Sequence, residues 1–318
     1  SVYAAMGSSA QAKKGGNGKG KGKGKGKGKG NGGGDGGGGT PFNYTPFTQP
    51  MPVPPVKQPL AVGTPPFNVG NVFHGVAPEY FDRRTAEEIN GARQPYFEDS
   101  RFPTAFYEMR MQHALAEIIP GVQTPIYGYD GLFPGPTFKA RVGQPVLVRS
   151  WNDLQDVETS VHLHGGHNPS HSDGYPNFYV LPGKARDYYY TNTLPFENGV
   201  PDFNEAPSTM WYHDHGMDIT DHNVWMGLAG FFLAFDDLEV DLINSNVLPG
   251  DPYDIPVVLM DRRFNSDGTL FFDPLDHNGT LGDVMVINGK AQPFFKVERR
   301  KYRFRFLNGS NARIWELR

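Results

Sequence analysis

Two histidine pairs of the form His-x-His constrain the fold of this chain more than any other feature of its sequence. The first pair is His162 and His164, and the second is His213 and His215. Residues i and i+2 of a β-strand point to the same face, so a pair that lies in a strand directs both imidazoles to one side. Imidazole nitrogens bind copper, zinc, iron and nickel. The spacing therefore predicts two strands that face each other across a metal centre.

Short apolar segments separated by turn residues predict an all-β fold around these pairs. The candidate strands are residues 106–111, 137–142, 145–152, 187–193, 211–215, 228–235, 255–261, 284–287 and 302–307. Hardly any segment shows helical periodicity, and the contents of glycine (40) and proline (28) favour turns. We expect an antiparallel sandwich or barrel, with Trp211, Phe231 and Phe232 in its core.

Composition divides the chain into five parts. Residues 1–40 are rich in glycine and lysine and are expected to be a disordered tail. Residues 41–100 begin Pro-rich and predict an extended arm and lead-in. A complete domain is expected at 101–236, a linker at 237–252 and an incomplete second domain at 253–318. The last part has about four strands, too few for a sandwich, so the chain is expected to be a fragment of a longer protein.

The net charge of −4 conceals opposite charges on tail and body. Residues 1–40 carry eight lysines and one acidic residue, a net charge of +7, which leaves 22 basic and 33 acidic side chains and −11 on the remainder. Such a tail either touches an anionic surface or stays solvated, and no nucleic-acid partner is expected. No apolar run approaches the roughly 18 residues of a membrane helix. Residues 1–6 fit the remnant of a signal peptide, so the expected location is secreted, periplasmic or cell-surface.

The chain contains no cysteine. Disulfide bonds and thiolate metal ligands are therefore excluded, and the cellular compartment cannot be inferred from disulfides. A blue copper site, or type 1 site, requires a cysteine ligand. This chain alone therefore cannot form one.

A zinc hydrolase is the competing interpretation of the first histidine pair. Hydrolases with the pattern His-x-His-x-Asp-His use the aspartate to bridge two metal ions. Here the run is His162-Leu163-His164-Gly165-Gly166-His167, so Gly166 occupies the position of that aspartate. Asp173 comes too late in the chain to replace it. The pattern disfavours this class of hydrolase.

The sequence around the two pairs resembles the N-terminal copper motifs of the multicopper oxidase family. The motifs that carry the resemblance are His162-Leu163-His164-Gly165, Asp173-Gly174-Tyr175-Pro176, Trp211-Tyr212-His213-Asp214-His215, Asn223-Val224, Gly227-Leu228-Ala229-Gly230-Phe231 and Asp261-Arg262-Arg263-Phe264. The most similar branch contains bacterial spore-coat laccases, bilirubin oxidases and phenoxazinone synthases. The resemblance extends from about residue 100 to the end of the chain.

The resemblance implies a cupredoxin-like Greek-key β-sandwich, with a trinuclear copper cluster between the first and third of three domains. It makes His162 the type 2 copper ligand and His164, His213 and His215 type 3 ligands. The remaining cluster ligands and the type 1 copper would belong to a C-terminal cupredoxin domain outside these 318 residues. That domain would be the partner that completes the cluster.

Two aspartates near the pairs receive different predictions. Asp173 matches an acidic residue near the type 2 copper of relatives, which implies a catalytic role in carrying protons or orienting a ligand. Alternatively it is a turn residue that bonds its own backbone. Asp214 lies between two histidines of one strand, should point away from the metal, and is predicted to be structural.

The implied activity is one-electron oxidation of phenolic, aromatic or metal-ion substrates, coupled to four-electron reduction of O2 to water. These residues would supply half of the cluster's protein ligands, so the chain alone is expected to be inactive. The alternative hypothesis is a non-catalytic copper-binding cupredoxin module for storage, delivery or a coat. A downstream His-Cys-His segment in the gene would favour the oxidase.

Overall fold

The computed structural model describes residues 2–5, 39–61, 101–275 and 279–317, and for residues 2–5 only the backbone. Within these ranges the strands are β1 Val2–Ala5, β2 Ala105–Glu117, β3 Gln123–Tyr129, β4 Phe138–Arg141, β5 Val146–Asn152, β6 Val161–His164, β7 Lys184–Tyr190, β8 Phe196–Glu197, β9 Val200–Pro201, β10 Thr209–Asp214, β11 Ala229–Phe235, β12 Asp254–Arg262, β13 Val284–Ile287, β14 Lys290–Ala291, β15 Phe294–Val297 and β16 Arg303–Asn308. The α-helices are α1 Thr220–Met226 and α2 Asp237–Asn244. The all-β prediction is confirmed. Neither helix has the length and apolar content needed to span a bilayer.

Two four-stranded sheets form a sandwich. Their strand orders are β3-β2-β5-β7 and β4-β11-β10-β6. The pairs β2–β5 and β4–β11 are parallel, and the other neighbours are antiparallel. Tyr129 and Tyr188 of the first sheet meet Tyr212 and Phe232 of the second in one buried core. Along each of these strands every second side chain points between the two sheets, and these side chains form the core.

Strand β11 is buried on both faces, which explains its continuous apolar sequence. Phe232 and Ala234 point into the sandwich core. Phe231 and Leu233 point the other way and pack in a second core with residues such as Met260 of β12. The second core joins the sandwich to a third sheet, whose strand order is β14-β13-β12-β16.

The segment predicted to be a linker, residues 237–252, contains helix α2. The side chain of Asp236 caps this helix by accepting a hydrogen bond from the backbone N–H of Glu239 at 2.7 Å. Arg305 of β16 then ties the helix to the sheets. Its guanidinium lies 2.6 Å from Glu239 and 2.7 Å from Asp254, and it donates to Thr209 Oγ1 at 2.7 Å. The ion pairs of Arg305 therefore attach the predicted linker segment to the sheets.

The Pro-rich arm is extended where it is described, over residues 41–61. The backbone N–H of Met51 donates to Phe294 O at 2.7 Å, and that of Lys57 donates to Thr137 O at 2.8 Å. The arm therefore contacts strand β15 through Met51 and the sandwich through Lys57. The rest of the predicted arm and lead-in, residues 62–100, lies outside the described residues.

Both ends of the tail predicted at residues 1–40 lie among the described residues. Strand β1, Val2–Ala5, pairs antiparallel with β15, Phe294–Val297. At the other end, the backbone N–H of Thr40 donates to a carboxylate oxygen of Asp283 at 2.5 Å. Edge pairing and a side-chain acceptor thus hold residues that carry no apolar periodicity. Residues 6–38 lie outside the described residues.

Candidate metal centre

The two histidine pairs lie on neighbouring antiparallel strands, β6 and β10. The register places His162 directly opposite His213. Leu163 and Tyr212, which alternate with the histidines, point into the sandwich core. The period of two therefore sends the histidines to the outer face of the sheet. His215 follows directly after the end of β10.

The four imidazoles converge on this outer face. Ligand nitrogens of His162, His164 and His213 all lie within 4.8 Å of one another. The ring centroid of His215 lies 5.2 Å from that of His162 and 5.6 Å from that of His213. The structure thus brings together all four histidines that the sequence singled out.

The hydrogen bonds of His213 show which of its nitrogens is available to a metal. Nδ1 of His213 lies 2.7 Å from the backbone oxygen of Asp214, so this nitrogen carries the proton and donates it. Nε2 therefore keeps its lone pair, and it lies 3.4 Å from Nδ1 of His164. Two nitrogens bound to one ion at about 2 Å each are separated by about this distance. The spacing fits a shared metal ion.

The other two histidines are also compatible with metal binding. Nδ1 of His162 is hydrogen-bonded to the backbone oxygen of Asp173, which leaves Nε2 with its lone pair. Nδ1 of His215 is buried and has no hydrogen-bonding partner among the described residues. An orphaned buried nitrogen is costly unless a ligand satisfies it. The donor set, four imidazoles and no thiolate, suits copper.

Burial and mutual repulsion keep two of these imidazoles neutral. Burial lowers the pKa of His213 to about 3, against the opposing hydrogen bond to Asp214 and with help from the neighbouring histidines. Burial and the charge of His162 lower the pKa of His164. Burial also lowers the pKa of His162, but its bonds to Asp173 outweigh this and leave that pKa raised. His164 and His213 are therefore neutral at pH 7, as metal ligands must be.

A tight loop holds Asp173 beside His162. Oδ1 of Asp173 lies 3.5 Å from His162 Nδ1. The next residue, Gly174, has φ +71°, and a Cβ there would lie 2.7 Å from His162 Cα. Only glycine permits this approach. The buried Arg186 fixes the other side of the loop by donating to His171 O at 2.7 Å.

Asp214 points away from the imidazoles, in the direction expected from strand alternation. Its fully buried carboxylate accepts hydrogen bonds from the N–H groups of Ser160 and Gly216 and from the side chain of Asn223. Burial raises the pKa of Asp214 to about 6 although these bonds oppose the shift. Sequence reasoning assigned no role to Asn223, because its contact depends on helix α1, which the sequence did not predict.

Trp211 lies against the metal centre rather than inside the sandwich core. Its ring stacks on His213 with a centroid distance of 4.0 Å and on His164 at 5.4 Å. It is half-buried, whereas Phe231 and Phe232 are buried as predicted. The position of Trp211, two residues before His213, was the sequence signal for this contact, because residues i and i+2 share a face.

Two His-x-His pairs on neighbouring strands of a β-sandwich form a candidate metal-binding site. A family model described as multicopper oxidase matches residues 110–238. The chain is 37% identical over 248 residues to a laccase of Bacillus stratosphericus, covering 67% of this chain and 47% of the relative. It is 32% identical over 275 residues to a bilirubin oxidase of Albifimbria verrucaria, covering 86% and 40%. Residues 110–238 therefore form a domain of the multicopper oxidase family.

Solved structures agree with this assignment. The laccase of Pediococcus acidilactici superposes with a TM-score of 0.61 at 27% identity, covering 85% of this chain and 48% of that one. The McoA multicopper oxidase of Aquifex aeolicus gives 0.57 at 32% identity, covering 68% and 44%. These likenesses confirm the predicted cupredoxin-like β-sandwich, and the family implies copper. The chain spans less than half the length of the two curated relatives above.

Proposed function

We propose that this chain is the N-terminal part of a laccase-like oxidase. The complete protein couples one-electron oxidation of phenolic, aromatic or metal-ion donors to four-electron reduction of O2 to water. The observation that carries the proposal is the convergence of four imidazoles from two paired strands. The similarity to proteins named laccase and bilirubin oxidase supports the reaction class.

The ligands divide into two roles in this proposal. His164, His213 and His215 bind type 3 copper, and the 3.4 Å separation of nitrogens from His164 and His213 supports a shared ion. His162 binds the type 2 copper, as the family resemblance implies, and its bond to Asp173 leaves Nε2 available for the metal. Bound copper supplies the redox centre at which O2 accepts electrons. The protein contributes neutral imidazoles in fixed positions.

Asp173 is proposed to carry protons between solvent and the centre. Its side chain is 44% exposed, while its Oδ1 lies 3.5 Å from His162 Nδ1. The carboxylate therefore contacts both the solvent and the imidazole. In this role the carboxylate passes protons from the solvent towards the imidazoles. A turn residue that only bonds its own backbone would not need this contact.

The rest of the oxidase is proposed to lie in a further cupredoxin domain. That domain would provide the other half of the cluster ligands and the cysteine of the type 1 copper, which this chain lacks. We also propose a secreted, periplasmic or cell-surface location and contact of the basic tail with an anionic surface. A leader sequence and a His-Cys-His segment in the complete gene would support the location and the oxidase.

Copper(II) binding to the 318-residue chain tests the proposal. Equilibrium dialysis followed by atomic absorption would give the copper bound by the wild type, by the double variant His213→Ala/His215→Ala and by the control His167→Ala/His171→Ala. We expect the first variant to lose most of the bound copper and the control to retain it. Equal binding by both variants would contradict the ligand assignment. If copper binds as expected but the complete gene product consumes no O2 with a diphenol, the non-catalytic module is favoured.

A further inference from the structure

The carboxylate of Asp214 joins three segments behind the metal centre. Its Oδ1 accepts a hydrogen bond from the backbone N–H of Ser160 at 2.7 Å. Its Oδ2 accepts from the N–H of Gly216 at 3.1 Å and from Nδ2 of Asn223 at 3.0 Å. No part of Asp214 is exposed to solvent. A buried carboxylate is tolerated only when such donors replace water.

The donors belong to the segments that carry the two histidine pairs. Ser160 directly precedes β6, two residues before His162, and its backbone oxygen accepts a hydrogen bond from the N–H of His215 at 2.7 Å. Gly216 directly follows His215. The strand register ends at Asp214 opposite Val161, and the backbone bond from His215 to Ser160 continues the pairing by one residue. The bond from the N–H of Ser160 to the carboxylate is a second connection at this end of the ladder.

Asn223 holds the carboxylate from the third segment, helix α1. Its backbone N–H donates to Ile219 O at 2.9 Å, and its oxygen accepts from the N–H of Leu228 at 2.9 Å. Arg262 donates to the backbone oxygen of the next residue, Val224, at 3.0 Å. The backbone of Asn223 is therefore fixed on both sides. Its side-chain Nδ2 donates to Asp214 Oδ2 at 3.0 Å and to the backbone oxygen of Glu158 at 3.5 Å, and the first of these bonds is the shorter.

We propose that Asp214, oriented by Asn223, is a positioning residue that sets the separation of the two histidine pairs. Its carboxylate contacts neither the imidazoles nor the site between them. This inference rests on the proposed function, because it assigns the carboxylate a role through copper ligands. A carboxylate accepts hydrogen bonds at both of its oxygens, whereas a side-chain amide in this position accepts at one oxygen only. Loss of this group lets the segment carrying His215 move relative to that carrying His162.

The substitution Asp214→Asn tests the proposal, because it keeps the shape and turns one acceptor into a donor. We expect copper(II) to bind the 318-residue chain at least about tenfold more weakly, as for other residues that support metal ligands. The electron paramagnetic resonance spectrum of the bound copper should also change its hyperfine splitting. The double variant Asp214→Asn/Asn223→Asp restores one donor–acceptor pair and should recover part of the affinity and the spectrum. Asp218→Asn is the matched control, since Asp218 is an exposed carboxylate of the same segment.

A purely structural Asp214 would lower the thermal midpoint but leave the copper spectrum of the folded protein unchanged. That result, or equal copper affinity of D214N and the wild type, would overturn the proposal. Should D214N fail to fold, Asn223→Ala removes one donor instead, and a wild-type spectrum and affinity there would also overturn it. Absence of copper binding by the wild type would contradict the proposed function itself, which separates the two failures.

Discussion

Nδ1 of His164 lies 3.4 Å from Nε2 of His213, across two strands that are far apart in sequence but paired in the sheet. The second nitrogen is the unprotonated one, because Nδ1 of His213 donates to the backbone. Two imidazoles are therefore arranged so that one ion satisfies both.

Copper(II) should quench the fluorescence of Trp211 more than that of the other tryptophans. Trp211 stacks on His213 with a centroid distance of 4.0 Å, so a paramagnetic ion bound to this histidine lies close to the ring. The variant Trp211→Phe should lose most of the copper-dependent quenching in a fluorescence titration. Trp315→Phe is the control, since Trp315 packs against the third sheet. Undiminished quenching in the Trp211 variant would place the copper elsewhere.

Alanine in place of Gly174 should destabilise the chain and weaken copper binding. A Cβ at Gly174 would lie 2.3 Å from Val161 O, so the loop carrying Asp173 must move. Gly199 also has a positive φ, +80°, but its Cβ would meet no atom within 4 Å. Gly199→Ala should therefore cost only the backbone strain, about 1–2 kcal/mol. Urea unfolding of both variants measures the difference, and equal costs would show that the close approach to β6 is unimportant.

Removal of the Arg305 guanidinium should cost about 3–5 kcal/mol of stability, because the buried Asp254 would keep only the more distant Arg303, at 3.9 Å. The two side chains are 2% and 3% exposed and lie 2.7 Å apart. Arg305→Ala is compared with Arg101→Ala, which breaks an exposed pair with Asp237 and should cost about 1 kcal/mol or less. Denaturant unfolding gives both values. A small loss at Arg305 would mean that solvent replaces the ion pair after the change.

The free energy of unfolding of the metal-free chain should depend on pH, and His213 should be one source of this dependence. The folded pKa is about 3, below the ordinary value of 6.5, so the unfolded state takes up a proton first as pH falls. This contribution to stability is complete above pH 6.5 and is lost progressively between about pH 6.5 and pH 3. The neutral variant His213→Gln lacks it. The stability of the variant relative to the wild type should therefore rise as pH falls from 7.5 to 4.

This prediction is checked by urea unfolding at several pH values with a chelator present. Asp214 acts in the opposite direction, because its pKa is raised to about 6 and the folded state takes up its proton first. That contribution is shared by the wild type and the variant and largely cancels in the comparison. A stability difference that does not change with pH would show that His213 is not held neutral by burial.

The sequence predicts the strands that carry the centre because their period is local. Strand β13, Val284–Ile287, falls where the alternation placed it, and the predicted strand 187–193 is observed three residues earlier as Lys184–Tyr190. The same alternation separates the imidazoles from Leu163 and places Asp214 on the opposite face. A period of two is thus enough to find the ligands.

The helices could not be predicted in the same way. Helix α1 follows Ile219, which offers no side-chain cap, and spans only seven residues. Helix α2 has a capping aspartate, Asp236, but it spans only eight residues and none of them is buried. Both depend on tertiary contacts, such as that of Arg262 with Val224 O at 3.0 Å. The hydrogen bond from Asn223 to Asp214 could not be predicted either, because Asn223 lies on helix α1.

Anomalous diffraction at the copper absorption edge, from crystals of the 318-residue chain soaked in copper(II), would show whether the two histidine pairs share an ion. We expect the strongest anomalous peak within about 2 Å of both His164 Nδ1 and His213 Nε2. The variant His213→Ala/His215→Ala should lose that peak under the same soak. A strongest peak at His167 or His171, with none between the two histidine pairs, would contradict the assignment of these ligands.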